Sequence, residues 1–342
     1  MKPEVLVHYK YRPTVKPNYA GKFCYNPYQM IEIDEDGDVM LCGCQFHMPY
    51  AIGNIYQSSI KEIWHNAQAQ LVRDSVAAGE FTYCNWACPN LQYLPPRPDI
   101  IPKADEFPTN IKIDLDRSCN LKCPSCREHI IQEKNNQKIQ KQKAIFNEIF
   151  DYAMSHPEQQ FRLFPINSGE ILASHSGLEF LRRLQHYPYS NIQVTSPSNG
   201  TLLWHHQDLI DCIQDKISFT ISIDAATELT YAQVRGGNWQ DLQKGISRYQ
   251  SIIQHFCFVV QEANWHEIEQ VAEYADRFAK RVDYQKLEDW GHWSSEWWQQ
   301  NNPLNRHKAH YNDVLDMLRQ TRNRFPKSTF STNLVNLMNK KV

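Results

Sequence analysis

Eight of the ten cysteines fall before residue 127, and three of them share one short run, Cys119-Asn120-Leu121-Lys122-Cys123-Pro124-Ser125-Cys126. The spacing C-x3-C-x2-C puts three thiols in a single tight loop. Three thiolates can hold three corners of a four-iron cluster and leave the fourth iron without a protein ligand. An open coordination position is what separates a reactive metal site from a structural one. A zinc knuckle, or three packing cysteines, would use the same residues. A second set is spread over residues 24–88. It comprises Cys24 and Cys42, spaced C-x12-G-x4-C around Gly37, and the pair Cys84 and Cys88. Four thiolates make a closed site, which suits an iron–sulfur cluster or a structural zinc ribbon. Cys44 is left over as a fifth thiol. The opening Met1–His8 lacks the apolar core of a signal peptide. In such a chain clustered thiols point to metal or iron–sulfur ligation rather than to a disulfide framework.

The elements that must position these groups are legible in the apolar spacing. Asn110–Asp116 alternates as a strand, and the three-cysteine loop follows it directly. Further strands are predicted at Phe161–Pro165, Asn191–Ser196, Ile217–Asp224, Cys257–Gln261 and Arg281–Leu287. Helical patterns lie between them, near Ala144–Ser155, Gly177–His186, Asp208–Ile213, Trp239–Ile252 and His266–Phe278. Six strand–helix units imply a parallel sheet with right-handed crossovers. The fold expected is α/β, a partial (β/α)6 TIM-like barrel behind a small, loop-rich, Cys-rich N-terminal auxiliary-cluster domain. A flat doubly wound sheet shares the same alternation. No G-x-G-x-x-G follows the first strand and no G-x-x-x-x-G-K-[ST] occurs, which argues against dinucleotide and P-loop nucleotide binding.

Composition narrows the function classes. The chain has 342 residues, a formal net charge of −2, 42% hydrophobic and 22% charged residues. That is an ordinary globular composition with no long basic run, so neither direct nucleic-acid binding nor membrane association is expected. No apolar run approaches a membrane span, and a cytoplasmic location is expected. The proline-rich Leu94–Pro102 separates the Cys-rich region from the regular one. The expected domains are 1–93 (auxiliary cluster), 94–106 (extended linker), 107–291 (barrel) and 292–342 (C-terminal helical extension). In the last of these, Tyr311–Arg324 reads as one amphipathic helix suited to covering an open barrel edge.

Over about residues 107–291 the chain resembles the radical S-adenosylmethionine (radical SAM) superfamily. The likeness rests on the three-cysteine loop together with motifs at later strand ends. Asn167-Ser168-Gly169-Glu170 is similar to the family's G-G-E segment, with Ser168 replacing the first Gly. Ser198-Asn199-Gly200-Thr201 is similar to its T-N-G turn. Ser222-Ile223-Asp224 is similar to its S-x-D, and Tyr231–Gly237 to its Y-x-x-x-R-G-G stretch. Gln261 and Asn264 occupy polar positions after the fifth strand. The resemblance implies that Cys119, Cys123 and Cys126 hold a [4Fe-4S] cluster whose open iron binds SAM. The cofactor contacts it implies are Ser168, Gly169, Glu170, Ser198, Asn199, Ser222, Asp224 and Arg235. Glu170 would meet the ammonium of SAM, Ser222 and Asp224 the ribose hydroxyls, and Arg235 the carboxylate. The family often places an aromatic residue before the third cysteine; here that position is Ser125.

The N-terminal region resembles the SPASM/twitch auxiliary-cluster module. It shares the cysteine–glycine–cysteine spacing, Gly53-Asn54-Ile55, the helical Ser59–Trp64 and the downstream pair Cys84 and Cys88. Its four cysteines match the short twitch form better than the two-cluster SPASM form. This implies a second, auxiliary [4Fe-4S] cluster on Cys24, Cys42, Cys84 and Cys88, with Cys44 dispensable. Together the resemblances imply reductive cleavage of SAM to a 5′-deoxyadenosyl radical that abstracts hydrogen from substrate. They also imply an electron donor of flavodoxin or ferredoxin type. Peptide (RiPP-type) modification is the favoured use, with oxidation of a small molecule such as a sugar or aminocyclitol as the alternative. From another class comes a non-catalytic zinc or iron–sulfur protein. The residues single out no general acid or base.

Overall fold

A computed structural model describes residues 18–43, 47–85, 88–166, 169–288 and 293–339. Cys44, Asn167 and Ser168, all singled out in the sequence, lie outside these. The chain forms two compact units. One takes the residues up to 116, with 133–168 and 175–195; the other takes 117–132, 169–174 and the chain from 196 onward.

The first unit opens with α1 (Asn26–Gln29) and a hairpin of β1 (Met30–Ile33) and β2 (Asp38–Met40), paired antiparallel. The turn has a specific cause. The Asp34 carboxylate accepts from the backbone N–H of Asp36 at 3.0 Å and of Asp38 at 2.9 Å, and Gly37 takes the left-handed φ of +84°. A side chain at Gly37 would also meet the Tyr56 ring at 2.6 Å. β3 (Gly53–Asn54) adds antiparallel to β2. Two capped helices follow, α2 (Ile60–Trp64) with a Ser59/Glu62 capping box and α3 (Ala67–Ala77) capped by Asn66.

β1 then lies parallel against β4 (Asn110–Asp114), with Ile31 beside Ile111 and Ile33 beside Ile113, all fully buried. The N-terminal module therefore extends the sheet at its first barrel strand. The proline-rich segment is extended, as expected, and is pinned along its course. Phe23 N–H donates to the Pro95 carbonyl, Arg97 N–H to Gly21, and the Trp64 indole to Asp105. β5 (Phe161–Ile166) and β6 (Ile192–Ser198) continue the parallel order, joined by α4 (Asn136–Ser155) and α5 (His175–His186). α4 begins eight residues ahead of the apolar pattern. Asn135 caps it, so the largely polar run before Ala144 forms its partly exposed first turns.

The second unit takes up the chain at the last residues of β6. It adds α6 (Gln207–Ile213), β7 (Ile217–Ser222), α7 (Glu228–Val234), α8 (Trp239–Tyr249), β8 (Ile253–Val260), α9 (Ile268–Asp276) and β9 (Val282–Lys286). Strands β7, β8 and β9 are parallel neighbours. In β7 the apolar Ile217, Phe219 and Ile221 are buried, while Ser218, Thr220 and Ser222 line the less enclosed face. β8 starts four residues before the predicted Cys257, because Gln254 and His255 hide the first part of its pattern.

Beyond β9 come α10 (Ser295–Asn301), α11 (Tyr311–Arg324), β10 (Thr329–Phe330) and α12 (Thr332–Asn339). α11 occupies the residues predicted for it and buries Val314, Leu315 and Leu318 while packing on α9. The edge of β9 is met by β10, paired parallel to it, and by α12. The strand order is open rather than closed. The fold is thus α/β, a partial (β/α)6 TIM-like barrel with a small Cys-rich N-terminal module.

Candidate metal centre and cofactor site

The three-cysteine loop belongs to the second unit together with the other strand-end motifs. Cys119 N–H donates to the Ile131 carbonyl at 2.9 Å, which closes the loop at its base. A tight turn follows, with the N–H groups of Cys126 and Arg127 both donating to the Cys123 carbonyl. Cys119 and Cys123 are buried beside Leu121, whereas Cys126 is exposed. Burial pushes the thiols of Cys119 and Cys123 up. The Leu121 N–H opposes this at Cys119, and the charges of Arg235 and Arg127 oppose it at Cys123. Such thiols deprotonate when a cation takes the place of the proton.

The loop is held from one side by Gly169 and Glu170. Glu170 N–H donates to the Ser118 carbonyl at 2.8 Å, and a Cβ on Gly169 would lie 2.1 Å from that same oxygen. Only glycine fits there. The Glu170 carboxylate is fully buried. It accepts from the Ser198 hydroxyl at 3.0 and 3.1 Å, from Asn199 N–H at 2.6 Å and from Leu172 N–H at 3.3 Å. Burial raises its pKa against these donors. Glu170 therefore fixes the Asn199-Gly200 turn, where Gly200 has φ +77°. Asn199 in turn donates to the Asn120 side chain at 2.9 Å and to the Cys119 sulfur at 4.0 Å, and Asn120 donates to the Thr201 hydroxyl at 2.9 Å.

From the other side come Asp224 and Arg235. Asp224 is buried in the left-handed conformation, φ +53°. Its carboxylate accepts from Val259 N–H at 2.7 Å and from the Arg235 guanidinium at 3.1 Å, and burial raises it against both. Asn264 holds the Asp224 carbonyl at 2.9 Å and the Val259 carbonyl at 3.0 Å. Burial would pull Arg235 down, but Cys123, Asp224 and Tyr231 around it hold it up and charged. Ser222 ends β7, half-buried.

Six buried side-chain polar atoms in this unit have no protein partner among the described residues, and three of them, Arg235 Nε, Tyr231 Oη and Gln261 Nε2, belong to the segments that follow β7 and β8. A side chain at Gly237 would approach Tyr231 Oη to 3.0 Å and Leu121 to 3.2 Å, so the glycine keeps the ground between that hydroxyl and the cysteine loop open. Orphaned buried donors are costly unless a ligand meets them. Three thiols, a half-buried guanidinium and unmet donors fit a cluster with a polar, carboxylate-bearing ligand.

Sequence reasoning missed Glu267. It is buried, and its carboxylate accepts from Ala226 N–H at 2.6 Å, from the Thr227 hydroxyl at 2.6 Å and from the Thr230 hydroxyl at 2.7 Å. It ties down the loop after Asp224. Its setting, Trp265-His266-Glu267-Ile268, is that of an ordinary helix entry and carries no signal.

In the first unit, Cys24, Cys84 and Cys88 pack in one group with Tyr19, Phe23, Tyr28 and Phe81. Burial raises the Cys24 thiol and the neighbouring Cys88 adds to it, against the Asn26 N–H. Cys42, two residues past the end of β2, is outside that group. Among the described residues no three His, Cys, Asp or Glu side chains converge on a single-ion cage.

A family model described as an iron–sulfur cluster-binding domain, SPASM, matches residues 24–89, from the first to just past the last of these four cysteines. Residues 24–89 are a SPASM domain. The SPASM domain is an iron–sulfur module, which bears out the auxiliary-cluster expectation for this region. Solved structures of similar fold include Streptococcus suis SuiB bound to S-adenosylmethionine, at 11% identity and TM-score 0.46, covering 81% of this chain and 60% of that one. SuiB bound to its precursor peptide SuiA matches at 8% identity and TM-score 0.45, over 89% and 72% of the two chains. A spore photoproduct lyase variant with bound AdoMet and dinucleoside spore photoproduct matches at 12% identity and TM-score 0.41, over 66% and 76%. The chain thus spans about 60% of the length of the first SuiB structure. No curated protein matches significantly. Among the described residues no helix is long and apolar enough to cross a membrane.

Proposed function

We propose that the protein is a radical SAM enzyme whose SPASM domain carries an auxiliary cluster and whose substrate is a peptide. One observation supports this most: the C-x3-C-x2-C loop shares a compact unit with the half-buried Arg235 guanidinium and with unmet buried donors in the segments that follow β7 and β8. In this reading Cys119, Cys123 and Cys126 hold a [4Fe-4S] cluster with one open iron. When reduced by a flavodoxin or ferredoxin type donor, that cluster supplies the electron that cleaves SAM to a 5′-deoxyadenosyl radical. The chain's own residues do the positioning. Glu170 locks the Ser198-Asn199 turn beside Cys119 and would also serve as the acceptor for the SAM ammonium. Arg235, held by Asp224, would offer Nε to the SAM carboxylate; Ser222 and Asp224 would hold the ribose hydroxyls, and Gln261 would supply a further donor. Ser168 and Gly169 belong to the same strand-end segment. Cys24, Cys42, Cys84 and Cys88 would hold the auxiliary cluster, and four thiolates would leave it no open iron, which suits electron relay. The SPASM domain supports the peptide reading, and a reducing cytoplasm suits both clusters.

Iron and sulfide analysis tests the ligand assignment. Anaerobically reconstituted protein is expected to hold about eight irons per chain, and about four when Cys119, Cys123 and Cys126 are all Ala. Zinc without iron after reconstitution would mark a structural zinc protein instead. Mass change in a co-expressed peptide, against turnover of a sugar or aminocyclitol, tests the substrate class.

A further inference from the structure

Of the three thiols in the loop, Cys126 is the exposed one. A cluster sulfur open to water is the easiest for solvent to reach and the least sheltered by protein dipoles. The residue beside it answers that exposure. The Arg127 guanidinium turns one edge onto the Cys126 sulfur, with Nε and one terminal nitrogen both at 3.5 Å. Its other terminal nitrogen donates to the Arg117 carbonyl at 2.9 Å, at the start of the same loop. The side chain is thus clamped across the loop with its fork on a ligand sulfur. Among the described residues the donors to the opposite ligand, Cys119, are neutral: Leu121 N–H at 3.4 Å and Asn199 Nδ2 at 4.0 Å. A permanent positive charge on one corner of the loop, half-buried and already oriented, has a definite consequence. Reduction adds negative charge to a cluster, so a fixed cation and N–H donors at its sulfurs favour the reduced form.

We infer that Arg127 is a positioning and tuning residue that raises the reduction potential of the three-cysteine cluster and thereby eases delivery of the first electron. This rests on the proposed cluster. The charge belongs to Arg127 whatever the substrate, so the effect is independent of the peptide reading.

The test uses the full chain, anaerobically reconstituted, in an EPR-monitored redox titration. The relevant cluster is the one whose reduced signal changes on adding SAM. Arg127→Gln keeps a donor but removes the charge, and its midpoint is expected to fall below that of the unaltered protein with iron content unchanged. Arg127→Lys, which keeps the charge, is expected to return the midpoint most of the way. An Arg127→Gln midpoint equal to the parent's overturns the inference. So does an Arg127→Lys midpoint no higher than that of Arg127→Gln, or iron loss in Arg127→Gln, which would make the residue a loop brace. A parent protein with no SAM-sensitive signal overturns the enzyme proposal itself, which is a different result from a SAM-sensitive signal indifferent to Arg127.

Discussion

Arg235 shows how one residue serves two purposes at the strand ends. It neutralises buried Asp224 through one nitrogen and keeps Nε unmet. A charge-assisted hydrogen bond to a bound carboxylate contributes about 1.5–3 kcal/mol. Arg235→Ala is therefore expected to weaken SAM binding roughly ten- to a hundred-fold. Equilibrium dialysis with radiolabelled SAM reads this, with iron content as the control; unchanged affinity would place the SAM carboxylate elsewhere. The cysteines, Asp224 and Arg235 were legible in the sequence because rare, charged or thiol-bearing residues sat at fixed distances past predicted strands. What each one touches was not. The sequence suggested Glu170 as an acceptor for the SAM ammonium, yet its lone pairs are shared with Ser198, Asn199 and Leu172. A carboxylate has about four acceptor positions, so the turn must share this one with any ligand. That sharing depends on residues 28 and 29 positions away, which spacing does not reveal.

At the scale of elements, the loop between β7 and α7 is held from behind. Asp224 has a positive φ that costs energy in a non-glycine residue. Asn264 grips its carbonyl, and Glu267 gathers three donors from residues 226–230. Removing the Glu267 carboxylate strands the buried Thr230 hydroxyl and the partly buried Ala226 N–H. Glu267→Ala is expected to cost roughly 2–4 kcal/mol in urea unfolding. Glu267→Gln, which can still accept, is expected to lose less; equal stability of Glu267→Ala and the parent would show that the loop holds itself. The strands and most helices were legible because their apolar alternation is strong, as in β7. The start of β8 was not, since Gln254 and His255 face outward or partly outward and interrupt the pattern. α7 spans only seven residues and its signal is swamped by the Gly236-Gly237 that follows it.

For the whole molecule, six strand–helix units sufficed to foresee a parallel sheet with crossovers, which an incomplete barrel and a flat doubly wound sheet satisfy alike. The location of the N-terminal hairpin was beyond reach. Pairing of β1 with β4 joins residues about eighty positions apart, and periodicity specifies which face a strand buries but not which neighbour it takes. The pairing makes the SPASM hairpin continuous with the parallel strands β4 and β5 of its own unit. The central claim is that the three-cysteine loop holds an open-iron cluster that cleaves SAM. The most direct measurement is the yield of 5′-deoxyadenosine from SAM by the reconstituted, dithionite-reduced protein. The account predicts its formation by the parent chain and its absence when Cys119, Cys123 and Cys126 are all Ala. Equal yields from the two proteins, or none from a parent chain carrying its full iron, would contradict it.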